Sequence, residues 1–375
     1  MALSLVALVV QGTTLMSLGV LLPHLARDFG GQAGSAATAM LIAMSLANLP
    51  FGWLVGRMDG RLVLAGGIVL TAAGWAGMAA AQDRLALAAA AAMAGAGIAA
   101  ATIVPGIALI TRDMGDRRGV ALALFLGATI VGGAVAPPLA GFAIVAEGWR
   151  AAMLGGAVAV AVAGALILLV RPGPAATPEG KPIDARRAAR PPVVLPILMA
   201  MVLLQLAING ILFAAVDCLM QAGLFQPRAI AAYSLANLVG LPALLLGGFA
   251  IDRIGPRRAM TSICLLLALG SAALPMAGGT GWPGLALFIV AWGVASALPG
   301  QAGSMLLADI VPAPAFPRLL GVIMAVSSLI GALAPWLTDM VRGAGGSYDV
   351  PMLLYAALAL AAAPFIALVR TAPAV

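Results

Sequence analysis

Residues 171–192 read RPGPAATPEGKPIDARRAARPP, the only long polar stretch in a chain of 375 residues. Its proline and charge content prevents it from burying a core, so it reads as a linker. Six apolar runs precede it, near 3–25, 34–56, 62–81, 85–111, 119–146 and 151–170. Six follow, near 193–222, 229–251, 259–277, 283–310, 318–342 and 349–369. A run of about 20 apolar residues is long enough to cross a bilayer as a helix. The pattern predicts an all-α membrane protein with twelve transmembrane helices in two six-helix, pseudo-symmetric halves. The domains would be 1–170 and 193–375, joined by a cytoplasmic linker over 171–192.

Composition agrees. Hydrophobic residues make up 63% of the chain, charged residues 9%, and the mean hydropathy is +1.11. These values exclude a water-soluble enzyme and a disordered chain. Gly 46 and Pro 25 fit close helix packing and helix bending in lipid. The net charge of +7 sits in short connections between the runs, so it gives no reason to expect a nucleic-acid partner. Cys218 and Cys264 fall inside apolar runs, where cysteine acts as a small hydrophobe. With a single histidine, neither metal nor cofactor is expected. The first run lacks a basic segment before it and a cleavage site after it, and reads as a retained helix.

Of the 20 Lys and Arg residues, only Arg27, Arg84, Arg150, Arg228 and Arg342 fall in the connections of one parity. The others share the side of the linker and both termini, which the positive-inside rule assigns to the cytoplasm of the inner (plasma) membrane.

The halves also repeat. At an offset of 198, Gln11-Gly12 maps onto Asn209-Gly210, Thr129 onto Ser327, Gly133 onto Gly331 and Pro137 onto Pro335. The strings GAVAP (133–137) and GALAP (331–335) differ at one position. A shared SLAN at 45–48 and 234–237 has a different offset and is set aside. Two parallel six-helix repeats are the construction of a secondary transporter, with its solute site between the halves near the midplane. Runs 3, 6, 9 and 12 carry few polar groups and should face lipid. The other runs supply candidates for the solute or proton pathway: Gln11, Thr14, Thr102, Thr129, Gln205, Asn209, Asp217, Gln301, Ser304, Ser327 and Ser328.

Each candidate has a plainer reading. Gln11 and Asn209 could form interhelical hydrogen bonds. The Thr129/Gly133/Pro137 set and its counterpart share a spacing of four that suits packing and hinging. Asp217 is the acid deepest in a run, where a carboxylate is costly, and it is the expected proton carrier. Asp339 and His24 read as interfacial.

The segment from Gly248 through Asp252-Arg253-Ile254-Gly255-Pro256-Arg257-Arg258 resembles the loop signature of the major facilitator superfamily. That resemblance implies a gate built from Asp252, Arg253, Gly255, Arg257 and Arg258. The first-half copy, GWLVGRMDGR at 52–61, has Gly56 at the expected aspartate position. Within the superfamily, LGVLLPHLARDFG (18–30), DRRGVALAL (116–124), Gly148-Trp149-Arg150 and Thr338-Asp339-Met340 resemble the bacterial monocarboxylate porter and oxalate/formate antiporter group. This implies a monomeric carrier of a monocarboxylate-like solute, working by alternating access with protons or a counter-solute. One departure stands out: no Lys or Arg lies deep in any run, so a buried cation for a carboxylate is missing. Export of a drug-like or neutral amphiphilic molecule is the alternative. An intramembrane enzyme finds no nucleophile–base pair, facing aspartates or metal cluster to support it.

Overall fold

A computed structural model describes residues 1–30, 33–114, 118–173, 191–311, 316–343 and 346–369. Most of the linker, including Lys181, and residues 116–117 of the DRRGVALAL stretch lie outside the described residues. The described residues form eleven helices long and apolar enough to cross a membrane. These are α1 (Ala2–Phe29), α2 (Gly34–Val55), α3 (Gly60–Ala80), α4 (Arg84–Ile110), α5 (Ala121–Leu169), α6 (Val194–Gln221), α7 (Gln226–Ile254), α8 (Pro256–Ala277), α9 (Trp282–Ala308), α10 (Leu319–Arg342) and α11 (Asp349–Leu368).

The difference from the expected twelve lies in α5. It joins the fifth and sixth runs through a break at Gly148, whose φ of 86° and ψ of 167° are open only to glycine. Local sequence sets the other boundaries. Asp59 accepts the N–H of Arg61 at 2.9 Å and starts α3; Asp83 accepts that of Ala86 at 2.8 Å and starts α4. Gly30, at φ 76°, ends α1 in the left-handed conformation. Gly255, at φ 84°, turns α7 directly into α8.

Helix pairing relies on small residues, because lipid gives apolar side chains no reason to leave it. A Cβ on Gly67 of α3 would lie 2.5 Å from the Ala101 nitrogen of α4, and one on Gly12 would lie 2.7 Å from the Gly132 carbonyl of α5. Large rings fill the interior: Trp75, Trp292, Tyr233 and Tyr355 are fully buried. Outward, Phe142, Val145, Leu246 and Phe249 are largely exposed, an apolar surface that suits lipid.

Three helices are interrupted where the solute site was expected. Thr102 leaves helical geometry in α4, Leu298-Pro299 divides α9, and Ala332-Leu333 divides α10 before Pro335. We call the end bearing the linker and both termini the linker end, and the opposite end distal.

Candidate solute cavity and distal clasp

A cavity of about 270 Å³ lies between helices from the two halves of the chain. Its walls come from α1 (Leu15, Met16), α2 (Leu41, Met44, Ser45), α5 (Thr129, Ile130), α6 (Gln205, Ile208, Asn209, Leu212), α7 (Asn237, Gly240), α9 (Trp292, Ser296, Ala297) and α10 (Ser328). None of the described residues that line it is charged. The Gln205 amide donates to the Asn209 carbonyl oxygen at 3.0 Å, and the Asn209 amide donates to the Gly331 carbonyl at 3.0 Å. This chain orients both side chains and ties α6 to α10. Asn237 donates to Tyr233 of its own helix at 3.0 Å. Trp292 stacks on Phe288 with centroids 5.8 Å apart, and its buried indole N–H has no partner among the described residues.

Four expected pathway residues therefore reach the cavity: Thr129, Gln205, Asn209 and Ser328. The others lie elsewhere. Gln11 donates to Thr102 at 3.3 Å, an interhelical bond within the first half. Thr14 and Ser327 turn back on their own helices, to the carbonyls of Val10 and Met324. Gln301 donates to the Leu244 carbonyl at 3.2 Å, and Ser304 to that of Gln301. The fourth run, expected to line the cavity, does not; the second and eighth do. Sequence reasoning passed over Ser45, Asn237, Trp292 and Ser296. An amide inside the apolar run of α7 was the signal for Asn237.

Asp217, the expected proton carrier, is met by a cation from another helix: Arg342 of α10 reaches it across the bundle. The Arg342 Nη1 lies 3.2 Å from Asp217 Oδ2, and the Tyr348 hydroxyl donates to the same oxygen at 2.6 Å. Arg342 also stacks over the Tyr348 ring at 4.3 Å. Burial, then the Asp217 charge, pushes the Tyr348 phenol above its ordinary range, so it stays a donor. Asp339, expected near the interface, is also held in place. It shares a small distal cavity of about 30 Å³ with Asp217, Arg342 and Tyr348.

That cavity belongs to a clasp between the halves. Asp339 Oδ2 accepts the Gly34 N–H at 2.7 Å, in the first turn of α2. In return, Thr38 Oγ1 of α2 accepts the Trp336 N–H at 3.0 Å, where α10 restarts after its break. Each helix start has N–H groups without intrahelical partners, and each is capped by the other half. His24 and Gln226 meet nearby at 3.3 Å.

At the linker end, Gly255 makes the turn while Asp252, Arg253, Arg257 and Arg258 are exposed. Arg257 donates to the Ala367 carbonyl of α11, and Asp252 forms no ion pair among the described residues. The expected carboxylate–guanidinium gate is thus not assembled in this structure. In the first-half loop, Gly60 N–H and Arg112 instead bind the Gly173 carbonyl at the start of the linker, at 3.0 and 2.7 Å. The Arg61 N–H that Asp59 accepts holds its carboxyl below the usual range.

Helices long enough to cross a membrane, tied at one end around a central cavity, have the build of a multi-pass transporter. The chain belongs to the Major Facilitator Superfamily, whose sequence profile matches residues 4–335. No curated protein sequence matches it. Among solved structures, it is similar to the nucleoside transporter NupG, at 16% identity over 99% of this chain and 98% of that one, with a TM-score of 0.81. It is also similar to a D-xylose-proton symporter, at 16% identity over 97% and 95%, TM-score 0.77. A bacterial homologue of the human lysosomal transporter Spinster, in an inward-facing and unoccupied conformation, gives 16% identity over 99% and 98%, TM-score 0.76. At these identities the likeness is one of fold.

Proposed function

We propose that this protein is a secondary transporter for a small neutral solute with an apolar body and a few hydrogen-bonding groups, moved by alternating access between residues 1–170 and 193–375. The uncharged cavity carries this reading: amides, hydroxyls and an unpartnered indole N–H can orient polar groups, while Leu, Met and Ile surround an apolar body. A carboxylate brought there would find no cation to offset its desolvation. Xylose and nucleosides, named for two proteins of similar fold, are likewise uncharged solutes. The monocarboxylate reading rests on the motif resemblance and would require binding through amide and hydroxyl donors with no cation beside them.

In this reading α5 crosses the bilayer twice, its break at Gly148 serving as a distal turn, which gives twelve crossings. Fifteen of the 20 basic residues favour a cytoplasmic linker and termini in an inner membrane, with the protein acting as a monomer. The distal clasp is the outer gate. Asp217 and Asp339, which share one small cavity there, carry the proton in a coupled cycle.

The test is transport in proteoliposomes of labelled lactate, formate and oxalate against uridine and xylose, with and without a proton gradient. Uptake of a neutral solute and none of the carboxylates is expected; the reverse overturns the neutral-solute reading. For topology, single cysteines at Lys181 and Ser347, in a variant lacking Cys218 and Cys264, should label from opposite sides. Ser347 is chosen because Tyr348 is buried against Asp217.

A further inference from the structure

A second groove, about 540 Å³, opens on the outer surface of the second half at its distal end, away from the solute cavity. Ala232 and Leu235 of α7 and Leu285 and Ile289 of α9 form its walls, with Arg228 and Trp282 at its mouth. Its lining is otherwise apolar or small, and Leu235 and Phe225 within it are 47% and 76% exposed. An apolar groove on the outside of membrane-crossing helices opens toward lipid chains.

The mouth has a different chemistry. Among the described residues Arg228 is the only charged one lining the groove, and it is exposed and forms no ion pair with any of them. The connections beside it, 222–228 and 278–282, contain no Asp or Glu. Trp282, 70% exposed, lines the same groove from the other connection, and exposed tryptophans of membrane proteins favour the headgroup level. A guanidinium presents two parallel donors that match a phosphate, and no acceptor among the described residues takes them up.

We propose that this groove is a binding site for an anionic phospholipid of the distal leaflet. Its phosphate pairs with Arg228, its glycerol region lies against Trp282, and one acyl chain runs down between α7 and α9. The site is independent of which solute the protein carries.

The full-length protein, purified in mild detergent, is given equal amounts of dioleoyl phosphatidylglycerol and dioleoyl phosphatidylcholine, and bound lipid is counted by native mass spectrometry. We expect several-fold more phosphatidylglycerol retained by the wild type. Arg228→Gln should bring the ratio to about one, while Arg27→Gln, which removes another exposed distal cation, should leave it high. Ala231→Phe, which puts bulk into the groove from an exposed position, should lower retention of both lipids. Thermal unfolding confirms that each variant is folded. A preference unchanged in Arg228→Gln, or lost equally in Arg27→Gln, overturns the site. Displacement of the lipid by millimolar inorganic phosphate alone would assign Arg228 to a free anion instead.

Discussion

The carboxylate of Asp339 caps the first turn of α2 by accepting the Gly34 N–H at 2.7 Å, across 305 positions of sequence. The return bond from Trp336 to Thr38 makes the capping reciprocal, so the two halves cannot separate distally without leaving helix-start N–H groups to water. Opening this end then has a defined local cost, and closure has a defined geometry.

That cost can be lowered by substitution. Asp339→Asn replaces a charge-assisted bond with a neutral one, a loss of about 1 kcal/mol and roughly a fivefold shift toward the distally open state. Ala33, buried in the distal cavity, is the reporter position. An Ala33→Cys variant should react several-fold faster with an impermeant maleimide once Asp339→Asn or Thr38→Val is added. Equal rates in all three backgrounds would remove the clasp from the gate.

The Asp217–Arg342 pair is partly buried, with side chains 19% and 23% exposed. Removing Arg342 strands a carboxylate, whereas removing both charges strands none. Arg342→Gln should therefore destabilise the protein by roughly 1–3 kcal/mol, and adding Asp217→Asn should recover part of that loss. Thermal unfolding of the four members of the cycle in detergent gives the coupling. Additive effects would show that the pair contributes nothing.

Proton coupling through the distal carboxylates predicts a separable defect. Asp217→Asn and Asp339→Asn keep side-chain shape and cannot titrate, so at least one should abolish pH-driven accumulation while exchange of solute across the membrane continues. Full pH-driven accumulation in both variants would move coupling elsewhere.

In the central cavity, Trp292→Phe deletes an N–H that bonds to no described protein group and keeps the ring beside Phe288 and Tyr233. Folding should be unchanged, while KM for the solute rises roughly fivefold to tenfold, equivalent to one hydrogen bond of about 1 kcal/mol. Asn209→Leu, which cuts the tie to Gly331, should impair both folding and transport. A Trp292→Phe variant with wild-type KM for every transported solute would take the indole out of recognition.

The break in α5 depends on one residue. Gly148→Ala forces a side chain into a conformation it avoids, at about 1–3 kcal/mol. Gly155→Ala, on the same helix with open space around its Cβ, is the control and should be neutral. Equal melting temperatures for the two variants would mean that the break relaxes without cost.

The sequence by itself determined the features that belong to each run alone. Hydropathy and length marked the membrane-crossing helices, the polar stretch at 171–192 separated two sets of them, and runs 3, 6, 9 and 12 added nothing to the cavity, as their lack of polar groups implied. Each follows from the cost of putting a polar group in lipid, which is paid residue by residue. Tertiary structure decided the pairings. Gln11 turns toward Thr102 and away from the cavity, Asp217 meets Arg342 across 125 positions, and Ser45 and Asn237 reach the cavity from helices whose repeat had been set aside. Which face of a helix a polar side chain presents depends on the rotation and register at which the helices pack. Those are set by close approaches such as Gly12 on Gly132 and Gly67 on Ala101, contacts between distant segments that no single run encodes.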